Sequence, residues 1–195
     1  MAQTPEALAF FEQLSTAANL NEALKPSLDD EAELRRLFAT ERDHARLQDP
    51  YVGLVNVFDA PKNARITQAR VVKDETDLSE RYVMPVAEDQ RRATGSPSTV
   101  DDVDEFKKNW SIFSEGSLSQ LLDWNNVVAA GGSVLACLTP LAKEQKESKR
   151  SIRKFYHTVA FPTSDVDLFI WGLDHDQVRF VLTRIFVNEI ANGNP

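Results

Sequence analysis

Cysteine is almost missing: Cys137 is the single one in 195 residues. One thiol excludes a disulfide framework and any zinc site built on several thiolates, and its default setting is a reducing, intracellular compartment, here the cytoplasm. Histidine is scarce too. The three, at 44, 157 and 175, form no HExxH spacing. No stretch approaches the roughly 20 apolar residues that span a bilayer. The start, MAQTPEALAFFEQL, has neither the basic nor the apolar region of a secretory signal. The expectation is a soluble chain with no membrane partner. Positive charge is in short supply, 22 Lys and Arg against 30 Asp and Glu for a net charge of -8. That balance argues against bulk binding of duplex nucleic acid, which needs cations facing phosphates, and leaves only a local basic patch open. Glycine numbers 7, and two of these stand together as Gly131-Gly132 before Ser133.

What is present suffices for a core: 42% hydrophobic and 27% charged residues fit one large domain or two small ones. Thr4-Pro5-Glu6 reads as a helix entry, followed by Leu8, Phe11 and Leu14 at helical spacing. Ser27, with Asp29, Asp30 and Glu31 behind it, reads as a second helix start that runs to before Asp49-Pro50. Residues 51–57 and 65–72 are rich in β-branched types around a turn-forming Asp59-Ala60-Pro61-Lys62-Asn63, which predicts a hairpin. The polar run 87–102 predicts a linker or long loop, dividing an N-terminal α+β segment, 1–98, from a core at 99–195.

Beyond it, Val103, Phe106, Trp110 and Phe113 mark one helix face, which Gly116 interrupts, and Leu118, Leu121 and Leu122 mark a second short helix. Residues 127–130 (VVAA) read as a buried strand that the glycine pair breaks, with Ser133 placed to cap a helix carrying Val134, Leu135 and Leu138. Residues 142–154 are charged and mainly basic, a solvated loop or an exposed helix. Asp165 to Gly172 reads as a strand opening with two carboxylates. Asp174 and Gln177 have capping-box spacing, and Val178, Val181, Leu182 and Ile185 define the inner face of a last helix ending at Asn192-Gly193.

Side chains two apart on a strand share a face, so Asp165 and Asp167 project together, about 7 Å apart at Cα by the strand rise. Two such carboxylates suit Mg2+, which takes few protein ligands and completes its shell with water and substrate phosphates. A glycine turn at a helix start offers a phosphate close backbone approach and unpaired amides. Acids for the metal and glycines for the phosphate are two halves of one site.

This pairing, a hydrophobic strand with Gly131, Gly132 and Ser133, then Asp165-Val166-Asp167-Leu168, resembles the nucleotidyltransferase superfamily typified by DNA polymerase beta. More narrowly, DWNNVVAAGGSVLACL with SDVDLFIWGL looks like a group of uncharacterised fungal and viral proteins of that fold. The resemblance covers roughly residues 121–192. It implies a mixed sheet with flanking helices, a nucleoside triphosphate held by the turn, and Mg2+ bound by Asp165 and Asp167 as the catalytic acids. In that chemistry one ion activates the attacking hydroxyl and another neutralises the pyrophosphate leaving group. A nucleotidyl group would pass to a hydroxyl on nucleic acid, protein or a small molecule.

The chain departs from the family in two places. Residues 134–164 make a longer gap than usual between the turn and the acids, and the family's third carboxylate, on a later strand, has no counterpart: the last acid, Glu189, lies on a helical pattern. The sequence thus reads as cut short inside its catalytic fold or as having lost that ligand. The alternative function is an inactive fragment or pseudoenzyme acting as a protein-interaction module, with a homodimer or partner paired on an exposed sheet edge. A third reading, accidental motifs, predicts that turn and acids stand far apart. A hydrolase elbow is excluded because Leu135 stands where its second Gly is needed, and a phosphate loop because no Lys follows the glycines. Lys143, Lys146, Lys149, Arg150, Arg153 and Lys154 read as a solvated face or a cover for phosphates, His157 as a structural hydrogen bonder, and Cys137 as a small buried hydrophobe. Trp110, Trp124 and Trp171 read as core or core-edge aromatics.

Overall fold

The computed structural model describes residues 5–17, 19–67, 92–118, 121 and 123–192. The chain divides into two units, residues 1–95 and 96–195. It mixes helix and strand, an α+β class.

In the first unit α1, Pro5–Thr16, packs on α2, Leu20–Thr40. The second helix starts earlier than Ser27 because Asn19 supplies a better-placed cap, its Oδ1 accepting the Glu22 N–H at 3.0 Å. Ser27 is therefore interior, and Pro26 is accommodated inside the helix with one backbone donor fewer. Nor does α2 reach Asp49: it closes at Thr40, where the Glu41 N–H returns to Leu37 O, and a 3-10 turn, Ala45–Gln48, follows. Arg46 ties that turn back to Asp30 at 2.8 Å.

The predicted hairpin is corrected. Residues 51–57 form successive turns and residues 62–65 a 3-10 helix, while 68–72 lie outside the described residues. Short polar side chains bend the backbone instead: Asp49 Oδ1 accepts the Tyr51 N–H at 2.9 Å and Asn56 Oδ1 the Phe58 N–H at 3.1 Å. Such side-chain bonds to nearby N–H groups compete with a strand ladder, and they outweigh β-branched propensity here.

In the second unit, turns and bends over 92–102 lead into α3, Val103–Phe113. Asp102 Oδ1 caps it, accepting the Asp104 and Glu105 N–H groups. Gly116, at φ 78°, closes the far end, its N–H donating to Ser111 O at 3.0 Å. The short helix expected around Leu118 is absent among the described residues there, which are turns and irregular chain. Strand β1, Val127–Ala130, follows, then α4, Gly132–Leu138, and α5, Lys149–Lys154, which is the basic run as an exposed helix. One π-helical stretch, Phe155–Ala160, continues α5. Strand β2, Asp167–Ile170, returns antiparallel to β1 and α6, His175–Asn192, ends the described chain. The register pairs Val127 with Ile170 and Ala130 with Asp167. Among the described residues the sheet is this one pair of strands. Asp174 and Gln177 form the capping box their spacing predicts, bonding each other's N–H at 3.0 and 2.9 Å.

Two apolar clusters support these elements. Ile112, Phe113, Ala136, Cys137, Leu141, Ile152 and Tyr156 make the first, with Val166 against it. Leu121, Val127 and Ile185 make the second, with Leu168 and Val181 against it. Leu182, expected inside, is exposed, and so are Trp124 and Trp171, whereas Trp110 packs on the first cluster. The terminal carbonyls of α4 are met from α3 and the loop before it: Asn109 Nδ2 donates to Cys137 O at 3.2 Å and the Val100 N–H to Leu138 O at 2.8 Å.

Cys137 is fully buried, as its apolar neighbours in the sequence predict, and burial pushes its thiol up to about 12 from 9.0. Burial also raises Tyr156. The unfolded chain releases the thiol proton near pH 9 while the folded chain holds it, so this contribution to stability is complete below pH 9 and is lost as pH climbs towards 12. Urea unfolding at pH 8, 9 and 10 should show the loss setting in above 9, at no more than about 1.4 kcal/mol per pH unit for this group, with part of it removed in Cys137→Ala. A disulfide-exchange reagent at pH 8 should leave the folded thiol unmodified and label it in urea.

Candidate phosphate and metal site

Gly131 carries the sharpest local constraint of the second unit. It caps α4 with φ 78° and ψ -152°, a region effectively reserved for glycine. Its carbonyl accepts the Leu135 N–H at 3.2 Å and opens the helix. The cap is thus Gly131, not Ser133: Ser133 lies inside the first turn, fully buried, its Oγ donating to Ala130 O at 3.4 Å. Its hydroxyl is turned into the protein, leaving backbone N–H groups of the first turn outside the helix's own ladder.

The register then brings the acids to the turn. Because Ala130 pairs with Asp167, the residue after Ala130 meets that carboxylate directly. A Cβ built on Gly131 would lie 2.6 Å from Asp167 Oδ2, and one on Gly132 would lie 3.5 Å from Ser164 Oγ. The Gly131–Gly132 turn and the segment carrying Asp167 therefore lie against each other.

Asp165 precedes β2, which begins at Asp167 and not at Asp165. The alternation nonetheless extends through it: Asp165, Asp167 and Phe169 are exposed, and Val166, Leu168 and Ile170 half-buried. Val166 is held by one apolar cluster and Leu168 by the other, so both carboxylates are turned outward on one face. Neither is ion-paired to a described residue. Among the described residues no group of three or more His, Cys, Asp and Glu is placed to share a metal.

Other candidates are distributed elsewhere. Lys146, in the loop before α5, pairs with Glu105 of α3, and Arg153 of α5 pairs with Glu115, just past the end of α3, at 2.7 Å, so two of the six basic residues at 143–154 are engaged by acids of the neighbouring segment. His157 Nε2 lies 3.7 Å from the same Glu115 with its ring against Phe113, and it has no hydrogen-bond partner. A cleft of about 390 Å³ opens at the far end of the strands, between Asn125, Asn126 and Val127 and the α6 residues Phe180, Val181 and Arg184. Sequence reasoning did not find it, because it arises where α6 crosses the start of β1 and no motif marks that crossing.

The two glycines predict opposite substitution effects. Gly131→Ala forces a disfavoured backbone and pushes a methyl into the Asp167 carboxylate, and should cost about 1–3 kcal/mol in urea unfolding. Gly132→Ala meets ordinary contact in a helical conformation and should be neutral or stabilising by up to about 1 kcal/mol. Equal effects at both positions would remove the conformational argument for Gly131.

No family model matches the chain, and no curated protein or solved structure does either.

Proposed function

We propose that this chain is a Mg2+-dependent nucleotidyltransferase-like protein that holds a nucleoside triphosphate between the Gly131-Gly132 turn and the Asp165/Asp167 face. The observation that carries the reading is the contact of the Asp167 carboxylate with Gly131. Phosphate oxygens repel carboxylates, so an anion can approach amides beside Asp167 only with a cation between them. The pair fits that cation: Mg2+ uses one or two carboxylates and fills the rest of its shell from water and phosphate. Asp165 and Asp167 would hold it, Gly131 leaves the room that the Asp167 carboxylate occupies beside the turn, and Gly132 and Ser133 would offer the phosphates their N–H groups, the Ser133 hydroxyl being turned inward. When bound, the metal supplies charge neutralisation on the phosphates and polarisation of an attacking hydroxyl. The mixed nucleotidyltransferase sheet with flanking helices is the finer fold in this proposal, and the antiparallel β1–β2 pair with α4 after the turn is its support.

A second reading keeps nucleotide binding without turnover, as an interaction module. It is favoured by the lack, among the described residues, of a third metal-binding side chain beside the pair.

Calorimetric titration with Mg-ATP and Mg-GTP is expected to give binding heat, weakened at least about tenfold in Asp167→Asn and abolished without Mg2+. Release of pyrophosphate separates the two readings: its presence with a hydroxyl acceptor supports transfer, and binding without it supports the module. No heat with any triphosphate, and Asp165→Ala indistinguishable from wild type, would overturn both.

A further inference from the structure

The face that carries the acids does not end with them. Along it, Asp165 and Asp167 are followed by Phe169 and Trp171 at the same two-residue step, and Val128 pairs directly with Phe169 across the strands. The ladder extends past β2, since the Trp171 N–H donates to Asn126 O at 3.1 Å. These apolar side chains are left in the open: Phe169 is 58% exposed, Val128 48% and Trp171 45%. Leu168, between them, faces the core. One surface thus presents two unpaired carboxylates and, about 7 Å further along the strand, an aromatic ring flanked by a second.

We propose that Phe169, bordered by Val128 and Trp171, is the stacking platform for the base of the nucleotide. This inference rests on the phosphate and metal site proposed above and names what lies beyond its phosphates. An anion joined to a flat ring by a sugar matches the order of groups on the face, acids first and rings next. Stacking requires no hydrogen-bond complement, so the platform accepts purines without selecting among them. A second copy of the chain fits less well: it would bring its own Asp165 and Asp167 against this face of a chain whose net charge is -8, whereas a metal-loaded nucleotide brings the neutralising cation with it.

The test compares Mg-ATP with Mg-tripolyphosphate, which has the phosphates and no base, on the full chain by calorimetry. Wild type is expected to bind ATP more tightly than tripolyphosphate by about tenfold or more, the scale of one stacked base. Phe169→Ala should erase most of that difference and leave tripolyphosphate binding unchanged, and Phe169→Tyr should restore it. Equal binding of the two probes by wild type, with no effect of Phe169→Ala, overturns the platform while leaving the phosphate site standing. Equal weakening of both probes in Phe169→Ala also overturns it, because the residue then acts on the phosphate end. Absence of binding by either probe overturns the platform together with the site. A wild-type dimer in sedimentation that becomes a monomer in Phe169→Ala, with ATP affinity unchanged, assigns the face to self-association and overturns the proposal. The thermal midpoint of Phe169→Ala should stay near wild type, since the side chain is exposed; Phe169→Leu, similar in bulk and not aromatic, repeats the comparison without removing apolar cover.

Discussion

The pairing of Ala130 with Asp167 organises the second unit. A one-residue slip would turn every β2 side chain to the opposite face, placing Asp167 against the second cluster and Leu168 in water. Burial prevents it: Val166 and Leu168 are held in different apolar clusters, and each large side chain removed from water is worth about 1.5–3 kcal/mol at full burial. The outward direction of two carboxylates is therefore a consequence of two inward anchors. The same register puts Asp167 over the residue that follows Ala130, which explains why that residue is glycine.

The turn is supported from behind. Ser133 is buried beneath it, and the far end of α4 is closed by Asn109 and the Val100 backbone. A seven-residue helix has little stability of its own. Its rigidity comes from Ala136 and Cys137 in the first cluster and from these bonds to its last carbonyls. This places Cys137 in a structural role consistent with its raised thiol. Charges in and just before α5 serve a similar end, since Lys146 and Arg153 are engaged by Glu105 and Glu115. Such partly exposed pairs add little stability individually, about 0–1 kcal/mol, and chiefly orient the helix.

Legibility in the sequence varied with the range of the interaction. The Asp174–Gln177 box is legible because its bonds span three residues. The break at Gly131-Gly132 is legible for the same reason, although hydroxyl chemistry points to Ser133 as the cap and backbone conformation makes it Gly131. β-branched propensity does not make 51–57 a hairpin strand because the Asp49 and Asn56 side chains fold the backbone onto itself. The early start of α2 is not legible because Ser27 with three acids behind it has the form of a cap, whereas the cap the chain uses is Asn19, eight residues earlier.

The sequence by itself determined the separate parts of the candidate site: a glycine pair between a strand and a helix, and two acids on one face of another strand. Local covalent geometry decides such things, because φ limits and strand alternation act over a few residues. Only the tertiary structure decided that the parts meet. Thirty-six residues lie between Ala130 and its partner Asp167 in the chain, and their contact depends on which apolar side chains are buried in the two clusters. Tertiary packing also decided that Phe169 and Trp171 stay in the open: hydrophobicity marks them for burial, and only the absence of a covering element among the described residues leaves them on the surface.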